Sequence, residues 1–155
     1  MKKIAVLFVF LFFVLISYSQ TNEKPNYIGL NAGYTTGFGL SYEYWPKKNG
    51  IQITFLPLFS KEEKRFSLGL TYLRNLTTGN KINLILFFGN HFTNFFTDDA
   101  ITNKARTVYN VGIGPGIKGG FDSFMYQFMI GYAVSDVLKD YNTALAIEFG
   151  FFYNF

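Results

Sequence analysis

Cysteine is missing from all 155 residues of this chain. Disulfides, thiolate metal sites and a lipid-modified N-terminal cysteine are therefore excluded, while the redox compartment stays open. Charge is scarce. Asp, Glu, Lys and Arg make up 15% of the residues, against about 25% in ordinary globular chains. There is a single histidine, and no metal cluster, phosphate loop or nucleophile elbow accompanies it. The formal charge of +4 falls near +2 without Lys2 and Lys3, which leaves no basic footprint for nucleic acid. Beyond residue 16 no apolar run reaches the ~18 residues that mark a membrane-spanning helix. What the chain has in excess is aromatic side chains, at 21%, together with 15 glycines.

The opening stretch is "MKKIAVLFVFLFFVLISYSQ". Lys2 and Lys3 form a basic start, Ile4 to Ile16 is an apolar run of 13 residues, and Ser17 and Ser19 are small residues spaced like a cleavage site. This is the pattern of a secretory signal peptide, and 13 residues fall short of the ~20 of a membrane anchor. The expected organisation is a signal peptide over 1–19 and one domain over 20–155. No cofactor is implied.

From Tyr27 the hydrophobic period becomes two. "YIGLNAGY" sets Ile28, Leu30, Ala32 and Tyr34 against Gly29, Asn31 and Gly33. "FGLSYEYW", "IQITFLPLF", "FSLGLTYL", "VYNVGIGPGI" and "FMYQFMIGY" alternate in the same way, and so does the ending from about Thr143. "INLILFFGN" breaks the rule, because Ile85 and Phe87 stand where small polar residues are expected. Turn-like stretches separate these segments, and a polar segment over about His91–Arg106 reads as a long loop. Eight alternating segments predict eight strands.

One face of these strands is Leu, Ile, Val, Phe and Tyr. The other is Gly, Ser, Thr, Asn and Gln with few charges, including Gly29, Gly33, Gly39, Gly69, Gly112, Gly114, Gly116, Gly131 and Gly150. A solvent-facing surface would carry Lys, Glu and Asp, and glycine weakens a strand unless something approaches closely. The large apolar face therefore points outward into lipid, and the small face lines a narrow interior. Strands can cross a membrane only as a closed barrel, which leaves no backbone group unpaired. Aromatics near segment ends, among them Tyr27, Tyr44, Trp45, Tyr72 and Tyr132, fit two interfacial girdles. The expected fold is all-β, a closed antiparallel eight-stranded up-and-down transmembrane barrel. A soluble lipocalin-like carrier of a hydrophobic ligand is the alternative, and it needs the opposite facing.

The chain ends "IEFGFFYNF". Phe149, Phe151, Tyr153 and Phe155 alternate up to the last residue, and this resembles the last-strand signature of bacterial outer-membrane barrels. By size the chain is similar to the OmpA/OmpX-type barrels, from which it departs in its very short first connection, "TTG". The resemblance implies an outer-membrane location and contact with lipid and lipopolysaccharide. It also implies recognition of Phe149, Phe151, Tyr153 and Phe155 by the barrel-assembly machinery, and it leaves room for an envelope protein partner. Short even-numbered connections should face the periplasm and long odd-numbered ones the outside.

Glu43, Glu148 and Lys118 fall on the inward face, with Gln52 and Gln127, and a charge in a narrow interior needs partners. These five are the expected lumen network, which Arg106 could join at its outer end. His91 with Asp98 or Asp99 is the one arrangement pointing to an outer-membrane protease or lipid A-modifying enzyme. It matches residue types and no motif, so no catalytic or metal site is expected. In "KEEKR", Lys61, Lys64 and Arg65 are candidates for contact with lipopolysaccharide phosphates.

Overall fold

A computed structural model describes residues 25–59, 63–77, 82–99, 102–121, 123–139 and 141–155. The expected signal segment lies outside the described residues. Eight strands follow in order: β1 (Asn26–Gly33), β2 (Gly37–Tyr44), β3 (Asn49–Phe59), β4 (Glu63–Asn75), β5 (Ile82–Asp99), β6 (Thr102–Phe121), β7 (Phe124–Ser135) and β8 (Asn142–Asn154). Each pairs with the next, and the sheet closes into a barrel. The closing seam joins β1 to β8 antiparallel, from Tyr27 opposite Asn154 to Gly33 opposite Glu148. No described helix is long and apolar enough to cross a membrane.

The side-chain period of two decides what faces where. Leu30 and Leu40 are each 62% exposed, and Leu70, Ile113 and Phe149 are also exposed on the outer wall. Residues of opposite parity, such as Ser41, Gln52, Thr54, Ser67 and Thr71, are buried inside. This facing contradicts the lipocalin-like carrier, which requires the large apolar side chains within. Several outward tyrosines tie their hydroxyls to asparagines of adjacent strands. Tyr42 donates to Asn26 Oδ1 at 2.7 Å, Tyr72 to Asn49 Oδ1 at 2.8 Å and Tyr109 to Asn90 Oδ1 at 2.8 Å.

The barrel differs from the sequence expectation in two places. The polar run from His91 is not a loop. β5 continues to Asp99 and β6 starts at Thr102, with unbroken pairing between them. Alternating strand geometry tolerates polar residues on both faces once a strand rises past the apolar band, so polarity alone misplaced its end. Trp45 and Tyr27 do not belong to a girdle. Trp45 is buried, and Tyr27 packs against the same interior cluster. Ile85 and Phe87 do occupy the inward face and are fully buried.

The rim is uneven. β1 and β2 have 8 residues each, whereas β5 has 18 and β6 has 20. At the end far from Asn26 and Asn154, the β2–β3 ladder stops at Leu40 opposite Phe55, and β6–β7 stops at Val111 opposite Val134. The ladders between β3 and β6 run on, to Phe59 opposite Lys64 and Asp99 opposite Thr102. Strands β3 to β6 thus form a four-stranded wall beyond the far rim, beside a first hairpin that stops short.

The facing makes a quantitative prediction. Leu30→Arg should destabilise the barrel by about 2–4 kcal/mol when it is folded in phospholipid vesicles, as read by urea unfolding. A cost within about 0.5 kcal/mol, usual for a water-facing position, would show that Leu30 does not meet hydrocarbon.

Candidate functional site

Eight strands enclose a space only wide enough for side chains, and here that space is occupied by three groups. Toward the near rim, where Asn26 and Asn154 lie, Trp45, Leu73, Ile85, Phe87 and Met129 form an apolar cluster. Buried Phe152 adds to the apolar filling. Glycines opposite make the room. A Cβ on Gly131 would lie 2.9 Å from Cζ of Phe87, and one on Gly50 would lie 2.6 Å from the Trp45 ring.

Beside this cluster, at overlapping height, sits a belt of polar side chains. Lys118 of β6 forms an ion pair with Glu43 Oε2 of β2, and both are buried. The Trp45 indole N–H donates to the same oxygen at 2.8 Å. The ammonium lies 4.0 Å from the Tyr27 ring centre and 4.4 Å from that of Trp45. A desolvated cation is tolerable there because a carboxylate and the negative faces of aromatic rings replace its water. Gln127 Nε2 donates to Gln52 Oε1 at 3.1 Å, spanning from β7 to β3, and Gln52 Nε2 donates to Thr54 Oγ1 at 3.2 Å. Asn31 Oδ1, Glu43 Oε1, Gln127 Oε1 and Thr71 Oγ1 are buried with no partner among the described residues. Apart from the threonine hydroxyl these are acceptors alone, so the belt suits ordered water, which can donate to them.

The third group is a piece of backbone. The connection between β1 and β2 turns into the lumen, and Thr35 and Thr36 are fully buried. Glu148 of β8 grips it. Its Oε1 accepts from the Thr35 amide at 2.9 Å and the Thr35 hydroxyl at 2.8 Å, and its Oε2 accepts from the Thr36 amide at 3.3 Å and the Thr36 hydroxyl at 2.5 Å. Four donors from one turn therefore replace the water that a buried carboxylate loses. Asn31 Nδ2 donates to Thr36 Oγ1 at 2.8 Å and to the Gly37 carbonyl at 2.9 Å. The Tyr34 carbonyl accepts from His91 Nδ1 at 3.0 Å and Asn110 Nδ2 at 3.1 Å. The wall opposite is glycine. A Cβ on Gly112 would meet Thr35 at 2.7 Å, and one on Gly69 would collide with the Thr36 carbonyl.

Glu43, Lys118, Gln52 and Gln127 therefore meet in one belt, while Glu148 sits with the turn and has no ion-pair partner among the described residues. Sequence reading missed Thr35 and Thr36. Their only signal was the brevity of "TTG" next to longer neighbours. His91 is not a surface loop residue. It is buried on β5, with Nε2 at 2.8 Å from Ser67 Oγ and 2.7 Å from Thr93 Oγ1. It faces Asn110 in the ladder, whereas Asp98 faces Asn103 near the tip of the wall. Seven residues of strand separate the two, roughly 23 Å at 3.3 Å per residue, so the His–Asp pairing does not form. Asp99 lies farther still. Arg65 takes the lumen-side parity of β4, next to buried Ser67, and so faces the barrel mouth and not the outer wall. Lys61 lies outside the described residues. Arg106 is exposed, opposite Phe95 in the ladder.

Removing one partner of a buried ion pair strands the other charge, at a cost of about 3–5 kcal/mol. Lys118→Met should destabilise the barrel by that order. The double variant Glu43→Met/Lys118→Met should lose much less than the two single losses added together, as measured by urea unfolding in a double-mutant cycle. Additive losses would mean that the two side chains are not coupled.

No protein-family model matches this chain, and no curated protein matches its sequence. Solved structures do. The N-terminal β-barrel domain of Pseudomonas aeruginosa OprF aligns with a TM-score of 0.56 at 13% identity, over 83% of this chain and 95% of that one. Neisserial surface protein A aligns with a TM-score of 0.55 at 12% identity, over 87% of this chain and 100% of that one. At such identities the likeness speaks for the fold. The chain is a small closed eight-stranded antiparallel barrel, with the fold of the outer-membrane barrels.

Proposed function

We propose that this protein is an integral outer-membrane barrel with a closed lumen, acting through its surfaces in a structural or envelope-interaction role, without pore or catalytic activity. The observation that carries this reading is the combination of an apolar outer wall with an interior occupied by three groups of side chains and backbone. An apolar exterior on a closed sheet has no stable place in water. An interior occupied by the Phe87 cluster, the Glu43–Lys118 belt and the Thr35–Thr36 turn supports a closed lumen. The dispersal of His91 from Asp98 and Asp99 supports a non-enzymatic role.

The short connections at the near rim then face the periplasm, and the wall of β3 to β6 faces the cell exterior. Outer-membrane lipid and lipopolysaccharide surround the barrel, and an envelope protein partner would meet the wall. Phe149, Phe151, Tyr153 and Phe155 all point outward from the last strand, each about half exposed. Phe124 of β7 stacks on Phe151 at 5.7 Å and meets Tyr153 edge-on at 5.6 Å. Their outward row supports their reading as the signal for the barrel-assembly machinery.

In cells, the protein should stay with outer membranes through a carbonate wash. Recovery in the supernatant would overturn the membrane reading. In planar bilayers the pure folded protein should show no steady conductance steps, and regular ion-conducting steps would overturn the closed lumen. The Phe155 ring contributes on the order of 2 kcal/mol by burial, too little to unfold a closed barrel. Phe155→Ala should therefore lower outer-membrane levels in cells several-fold while refolding into detergent nearly as well as the parent. Normal levels in cells would make the ring a lipid contact only.

A further inference from the structure

We infer that the far mouth of the barrel carries a binding site for an oxyanion, a carboxylate or a phosphate group, centred on Arg65. The first hairpin dips into the lumen, and beyond it the inward parity of β4 and β5 carries Arg65 and Phe95, which face each other in the ladder. Arg65 projects from that face and is half-buried. Its guanidinium carbon lies 4.7 Å from the Phe95 ring centre and 5.8 Å from that of Phe38. Its Nε is sealed from solvent and has no acceptor. Aromatic faces hold a guanidinium in place but accept none of its in-plane N–H groups. The arrangement is therefore a fixed cation whose fork of donors lacks an acceptor among the described residues, and the planar oxygen pair of a carboxylate or phosphate fits such a fork.

The surroundings favour the same ligand chemistry. Phe38 meets the His91 ring edge-on at 5.9 Å, so Arg65 and His91 share one aromatic neighbour. His91 Nε2 lies between the hydroxyls of Ser67 and Thr93, while Nδ1 donates to the Tyr34 carbonyl. None of the carboxylates whose contacts are described pairs with Arg65, and the ion pair of the described interior belongs to Glu43 and Lys118. An internal salt bridge would make Arg65 a structural residue. Its aromatic cradle without an anion makes it a receptor.

The test uses the full folded barrel in a detergent without phosphate groups, with arginine labelled by 15N, following the Arg65 Nε–H resonance. Inorganic phosphate and acetate probe a free oxyanion. Phosphorylated and dephosphorylated lipid A, compared at equal concentration, probe a headgroup. The expected result is a saturable shift with phosphate-bearing probes and at least tenfold weaker binding in Arg65→Gln, with Phe38 and Phe95 signals moving only in the parent. Arg65→Lys keeps the charge but loses the fork, and should bind several-fold more weakly. Phe95→Leu should also weaken binding several-fold with Arg65 intact, and heat-modifiable gel mobility shows that each variant is folded. Saturation by inorganic phosphate identifies a free oxyanion site, whereas saturation by phosphorylated lipid A alone identifies a lipid headgroup. Only that second source rests on the outer-membrane reading, whose own test is fractionation. An Arg65 resonance unmoved by every probe, or an Arg65→Gln variant that binds as tightly as the parent, would overturn the site.

Discussion

A sheet that pairs its last strand with its first has no edge, and at eight strands it has almost no inside. The β1–β8 ladder removes the open row of amides that would otherwise invite another chain. The same closure brings the eight walls so close that every inward side chain must be fitted against those opposite. The glycines, the aromatic cluster and the inward turn are answers to that one restriction. Phe87 can cross the lumen because Gly131 offers no side chain, and the Thr35–Thr36 turn can enter because Gly69, Gly89 and Gly112 leave it a seat.

The interior also explains why so few charges suffice. Each buried charge must be desolvated, and each here has a compensating arrangement of its own. Lys118 has a carboxylate and aromatic faces. Glu148 has four hydrogen bonds from one turn. Two unlike solutions lie side by side. The first joins opposite strands through an ion pair, and the second joins a strand to backbone of the chain's own first hairpin.

The fold was legible because period-two alternation survives along most strands, and because the large residues stood on the face that a soluble barrel would hide. Ile85 and Phe87 looked like a fault in the pattern and are in fact the apolar filling. Alternation assigns a residue to a face and says nothing of its height or its partner. It could place Glu43, Lys118 and Glu148 inside, but not show that Lys118 reaches Glu43 while Glu148 takes the turn. Trp45 was misread because an aromatic at a strand end fits a girdle and a stopper equally well. The end of β5 was misread because polarity marks where a strand leaves the apolar band, not where it stops being a strand. The charged run "KEEKR" makes Arg65 a candidate for lipopolysaccharide contact, although its parity with Ser67 already points inward.

The grip of Glu148 on the first turn also bears on the order of events as the barrel forms. The two partners stand 113 positions apart, so the contact cannot exist until the final strand has docked. Local hairpins need only short loop closures and can form early, whereas this contact requires nearly the whole chain to be in place. Until then the buried threonines lack their acceptor. The turn settles only when the circle is complete, so a stretch near the start of the barrel keeps time for the end of assembly.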